Sequence, residues 1–121
     1  MPIDKVNIAD KLGRFSDHWH PRIVGALNGQ HVKLARFKRA FIWHQHEEAD
    51  ELFYVLEGSF DMEFRDRTVT VHAGEFIIVP RGVEHRPVAR EEAAVLLFEP
   101  AGTLNTGDAG GELTREEPEF L

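Results

Sequence analysis

The stretch Phe60-Asp61-Met62-Glu63-Phe64-Arg65-Asp66-Arg67-Thr68-Val69-Thr70-Val71-His72 decides the fold class. Apolar and charged residues alternate over Phe60–Phe64, and alternation resumes over Thr68–His72. A period of two places the apolar side chains on one face of an extended chain. Arg65-Asp66-Arg67 joins the runs as a polar turn, so they predict a β-hairpin. Outward from it the same grammar continues. Ala73-Gly74 breaks the second strand, and Phe76-Ile77-Ile78-Val79 follows as a continuous apolar run, expected to be buried on both faces. After the Pro80-Arg81-Gly82 turn come a short strand over 83–88, with Pro87 marking an edge or bulge, and a buried strand over 93–98. Toward the N-terminus, 52–56 is a strand closed by Glu57-Gly58, and 32–37 with 41–46 form an expected strand pair. About seven or eight strands and little else predict an all-β sandwich or barrel. Asn7 to Leu12 reads as a short helical segment, capped by Asn7 and stopped at Gly13.

The chain has 121 residues, long enough for one domain with a sizeable core. We divide it into an N-terminal arm (1–30) packing on the barrel, the barrel itself (31–102) and a Gly- and Glu-rich tail (103–121) expected to be peripheral or loose. A net charge of −7 argues against nucleic acid or an anionic membrane as a partner, and is compatible with a cation. Without cysteine there are no disulfides, thiolate ligands or cysteine nucleophiles. No apolar run approaches the roughly 20 residues of a spanning helix, and the start lacks a secretory signal pattern, so the expected location is cytoplasmic.

The chemistry lies in the histidines. His44 and His46 are two apart in a β context, which puts both imidazoles on one face. Glu51 follows across a short acidic segment and can fold back beside them. His85 lies just past the Pro80-Arg81-Gly82 turn, and in a closed barrel it can reach the same interior point. Three nitrogens and a carboxylate oxygen suit a divalent transition metal better than calcium. Each element alone is weak, since an HxH pair is commonly two polar side chains on an exposed strand.

The joint spacing resembles the cupin superfamily. Its first motif, G(X)5HXH(X)3-4E(X)6G, is matched from His44 through His46 and Glu51 to Gly58, and its second, G(X)5PXG(X)2H(X)3N, from Gly74 through Pro80 and Gly82 to His85. Fifteen residues separate Gly58 from Gly74. Two positions depart, Lys38 for the opening glycine and Ala89 for the closing asparagine, and they bear on local turn geometry. The resemblance implies a double-stranded β-helix, the jelly-roll barrel of cupins. It also implies one metal ion (iron, manganese, nickel or zinc) held inside by His44, His46, Glu51 and His85. The short form with Trp43-His44-Gln45-His46 looks like bacterial cupins labelled mannose-6-phosphate isomerase-like, and it implies a homodimer paired by sheet contacts. That label is a fold-level analogy.

Strand parity then suggests a largely apolar pocket with Ile42, Phe53, Val55, Met62 and Phe64 on its walls. Glu51 is primarily a ligand, and it is also the residue able to move a proton. Arg36, Lys38 and Arg39 are the basic residues available as a phosphate clamp, although such residues are more often solvated. His18-Trp19-His20 is a second HxH with no matching carboxylate or third histidine, read as packing Trp19 on the barrel. Two functions remain open: a metal-dependent enzyme of isomerase, lyase or dioxygenase type on a small sugar-like or carboxylate/keto substrate, and a non-catalytic module binding a small ligand or metal.

Overall fold

A computed structural model describes residues 3–115 and 118–121. One short helix, α1 (Ile8–Leu12), precedes seven strands: β1 (Arg22–Leu27), β2 (Gln30–Ala40), β3 (Glu51–Glu57), β4 (Ser59–Phe64), β5 (Thr68–His72), β6 (Phe76–Val79) and β7 (His85–Pro100). All pairings between them are antiparallel, in the order β1-β2-β7-β3-β6, with β4 joining β5 to β7. This is the expected all-β jelly roll.

The hairpin β4–β5 forms as read, with Phe60 opposite Val71 and Met62 opposite Val69. Other boundaries differ. Residues 83–88 and 93–98 are not two strands: one 16-residue strand, β7, spans most of both. On one edge its first part pairs with β4, from Asp61–Val88 to Phe64–His85, and its second part with β3, while β2 follows the other edge from Val88 to Pro100. A bulge between Phe37 and Arg39 of β2 absorbs the bend, with Arg39 at φ 66°. A strand that serves both halves of the barrel in this way turns a corner. Gly58 permits the tight approach there: a Cβ on it would sit 2.9 Å from the Glu92 carbonyl oxygen.

The expected pair 32–37 with 41–46 is absent. β2 instead pairs with β1, around Asn28-Gly29, and with β7, while 41–50 runs outside the named strands. The arm 1–30 therefore contributes β1 to the sheet.

Inward side chains alternate with outward ones. Phe37, Phe53, Val55, Phe60, Met62 and Val95 form one buried cluster with Trp19 stacked on Phe37 at 4.5 Å. On the outer face, α1 lays Leu12 against Val24, Leu34 and Ala94. Asn7 caps the helix by accepting from the Asp10 N–H at 2.9 Å. Arg36 donates to the Leu12 and Phe15 carbonyls, satisfying the groups a short helix leaves open.

β6 corrects the sequence reading. Phe76 and Ile78 are 59% and 52% exposed, so only one face of that strand is buried. It is the edge strand of its sheet, and α1 covers the opposite end. The described residues of the tail are also bonded to the barrel. Ile23 N–H donates to the Glu119 carbonyl and Leu121 N–H to the Ile23 carbonyl, pairing the last residues with β1.

Candidate metal centre

Backbone pairing brings two of the candidate ligands together. His44 and His85 form an antiparallel bridge and exchange both N–H···O bonds, at 3.1 and 2.9 Å. The His46 carbonyl accepts from Gly82 N–H at 2.8 Å, tying the HxH segment to the Pro80-Arg81-Gly82 turn. Glu51 is the first residue of β3 and His85 the first of β7. The segment 41–50 is held by such bonds rather than by a ladder. Its residues nevertheless keep the alternation that aims His44 and His46 inward.

All four side chains are buried: His85 is fully so, and His44, His46 and Glu51 nearly so. One potential ligand atom from each lies within 4.8 Å of the others. The Nδ1 atoms of His44 and His85 each lie 2.9 Å from a carbonyl two residues earlier, Ile42 and Val83. A carbonyl only accepts, so each Nδ1 carries the proton and each Nε2 presents its lone pair. Glu51 Oε1 stands 3.1 Å from His46 Nε2 and 3.7 Å from His85 Nε2. These three atoms are buried without a satisfying hydrogen bond. Leaving one such group orphaned costs about 1–3 kcal/mol, and a cation among them removes that cost. The donor set fits a divalent transition metal.

The charge states fit as well. Burial, then the facing His85, lowers His44 to a pKa of about 4, so it is neutral at pH 7. Burial alone would raise the Glu51 carboxyl, but the neighbouring Glu99 carboxyl, and then the facing His46 and His85 imidazoles, outweigh it and hold Glu51 well below the ordinary value. Neutral imidazole and ionised carboxylate are the ligating forms.

A small cavity of about 30 Å³ opens on His44 and Glu51. Trp19, Phe37, Phe41 and Phe53 form its aromatic wall. Trp19 sits at φ 60°, a costly backbone for a bulky residue, and is held by Nε1–H donation to the Lys38 carbonyl. Of the expected pocket residues, Phe53 lines this cavity. Val55 and Met62 belong to the core cluster, and Ile42 and Phe64 pack against it. A wider open groove of about 380 Å³ borders His46 from outside, between residues 45–49 and 100–108. The tail closes down here: Asp108 accepts from Gln45 N–H and donates its own N–H to the Gln45 carbonyl.

The remaining motifs are otherwise occupied. His18 contacts Glu92 at 2.9 Å and His20 contacts Asp17 at 3.1 Å, so the second HxH holds the arm. Arg36 is engaged with α1 on the outer face, and none of Arg36, Lys38 and Arg39 lines the cavity among the described residues.

Sequence reading missed Glu99 and Lys33. Both are almost fully buried, with Lys33 Nζ 2.8 Å from Glu99 Oε1, and Glu99 lines the cavity beside Glu51. The signal was parity: Glu99 continues the inward series Ala93, Val95, Leu97, and Lys33 precedes Ala35 and Phe37.

Comparison with known proteins agrees with this fold. The Cupin_2 family model, a cupin domain, matches residues 31–99, and the chain belongs to that family. It is similar to a cupin-2 domain containing protein from Shewanella frigidimarina NCIMB 400, with 41% identity and a TM-score of 0.78 over 78% of this chain and 93% of the other. KdgF from Halomonas sp. is similar at 27% identity and a TM-score of 0.58, over 66% of this chain and 78% of the other. Protein YdbB of Bacillus subtilis (strain 168) is 38% identical over 64 residues, 52% of this chain and 57% of YdbB; the match thus spans little more than half of that relative.

Proposed function

We propose that the chain is a metal-dependent enzyme of isomerase, lyase or dioxygenase type, acting on a small sugar-like or carboxylate/keto substrate. The carrying observation is the convergence of four buried ligand atoms within 4.8 Å beside an aromatic cavity. His44, His46, Glu51 and His85 hold the ion, which is iron, manganese, nickel or zinc. When bound, it supplies a Lewis-acid centre that polarises an oxygen of the substrate. Ile42 O and Val83 O fix the orientation of two imidazoles, and the aromatic wall excludes water from the reacting end. Glu51 is the group able to move a proton. Because no lysine or arginine among the described residues lines the cavity, the proposed substrate carries no phosphate there.

The protein is further proposed to act in the cytoplasm as a homodimer, with a second copy covering the exposed Phe76 and Ile78 of β6. A panel of sugars, keto acids and enediols, assayed with and without each metal, tests the enzyme reading. Metal-dependent turnover of at least one class is expected. Tight binding with no product from any member contradicts it and leaves the binding module, a reading favoured by the small cavity behind Trp19.

A further inference from the structure

The carboxyl of Glu99 is built into the cavity and serves no ladder, cap or surface. Leu52 pairs with Phe98, so Glu51 and Glu99 flank that pair as neighbours on adjacent strands, both facing inward. Glu99 is 2% exposed. Its Oε1 is taken by Lys33 Nζ at 2.8 Å, and Lys33 is in turn held by the Thr103 carbonyl at 3.4 Å. Its Oε2 is buried, and no protein N–H or O–H donor satisfies it. The same side chain lines the cavity with His44 and Glu51, opposite the aromatic wall.

A buried ion pair is an expensive way to fill space, because hydrophobic residues of similar volume generally do so at equal or lower cost. Keeping one oxygen open toward a cavity adds to that cost. The arrangement makes sense when a ligand supplies the missing partner. Lys33 fixes the carboxyl from behind and, among the described residues lining the cavity, leaves Oε2 with no N–H or hydroxyl donor, its carboxyl neighbour being the Glu51 carboxylate.

We propose that Glu99 contacts the ligand directly. Its Oε2 forms a hydrogen bond with a hydroxyl group adjacent to the oxygen that binds the metal, which selects a small vicinal dioxygen compound: an α-hydroxy acid, an α-hydroxy ketone or an enediol. The inference rests on the metal reading of the four-residue site and adds to it the second point of attachment. A hydroxyl both donates and accepts, so the contact holds whichever partner carries the proton. Two attachment points on adjacent oxygens also orient a molecule too small to be oriented by shape.

The test uses full-length protein loaded with cobalt(II), whose visible spectrum reports ligand entry. Glycolate and acetate are the probes, since both offer a carboxylate and only glycolate carries the neighbouring hydroxyl. Chelation through that hydroxyl affects every variant alike, so the reading is the change in the glycolate-to-acetate affinity ratio. In Lys33→Met/Glu99→Leu, which removes the pair together, the ratio is expected to fall roughly tenfold, the worth of one hydrogen bond to a charged group. Cobalt content is expected to stay at the wild-type level. An unchanged ratio overturns the inference. So does loss of cobalt in the variant, which makes Glu99 a support for Glu51, and so does the absence of any glycolate preference in the wild type. Failure of the wild type to bind cobalt removes the metal reading itself, and the inference with it. Should the variant not fold, a crystal structure of the wild-type cobalt–glycolate complex decides. The hydroxyl within about 3.2 Å of Glu99 Oε2 supports the contact, and a hydroxyl turned elsewhere overturns it.

Discussion

His44 and His85, distant in sequence, are backbone partners: each donates its N–H to the other's carbonyl, at 3.1 and 2.9 Å, and their rings stand 4.3 Å apart. Two of the four proposed ligands are thus placed by the main chain alone. His85→Ala leaves that bridge intact and removes one Nε2. Even partners that only orient a ligand cost about 10–100-fold in metal affinity when lost. We expect His85→Ala to weaken binding by at least about 100-fold, read by competition with a chromophoric chelator, with little change in circular dichroism.

The acid response has a sign fixed by burial. His44 has a folded pKa of about 4 against the ordinary 6.5 of histidine, so between those values the unfolded chain binds a proton that the metal-free fold does not. Its contribution therefore destabilises the fold as pH falls through that window, by up to about 3 kcal/mol at the bottom. Glu99 works the other way: burial and then the Glu51 charge raise its carboxyl well above the usual value, giving stability that is lost as pH rises. The His44 contribution is isolated by comparison with His44→Gln, which keeps Glu99. Urea unfolding of chelated samples from pH 6.5 to 4 is expected to show wild type losing ground to the variant. Parallel curves would contradict it.

Gly107 sits at φ 55°, and a Cβ there would overlap the Gln45 carbonyl oxygen. That contact is backbone and cannot swing aside. Gly107→Ala is expected to cost about 1–3 kcal/mol and to free residues 103–115 for limited proteolysis. The same cleavage pattern as wild type would mean the tail adapts without this contact.

Phe76 and Ile78 give the dimer proposal a direct handle. Ile78→Lys places a charge on the exposed face of β6 without touching the core. Sedimentation velocity is expected to show a dimer for wild type and a monomer for the variant. A wild-type monomer at working concentration ends the proposal.

The hairpin over 60–72 and the spacing of His44, His46, Glu51 and His85 were readable because period and spacing are local properties. The backbone of 41–50 was not, since its hydrogen bonds go to His85, Gly82 and Asp108 instead of a ladder. The outward exposure of Phe76 and Ile78 depends on where α1 lands, and no residue of β6 encodes that. Glu99 carried a trace, a charge on the inward parity of an apolar strand. Its meaning came only from Lys33, 66 residues away, and from the cavity they share. Gly-rich composition made the tail look loose, while the bonds of Asp108 and Leu121 are made largely by main chain that composition does not describe.

The central claim is that His44, His46, Glu51 and His85 hold one metal ion. Its most direct test is metal content per chain, by mass spectrometry, of untagged protein purified without added metal or chelator. The account predicts close to one equivalent of iron, manganese, nickel or zinc, absent from a His44→Ala/His85→Ala variant. No bound metal in the wild type, even after reconstitution with each ion, would contradict it.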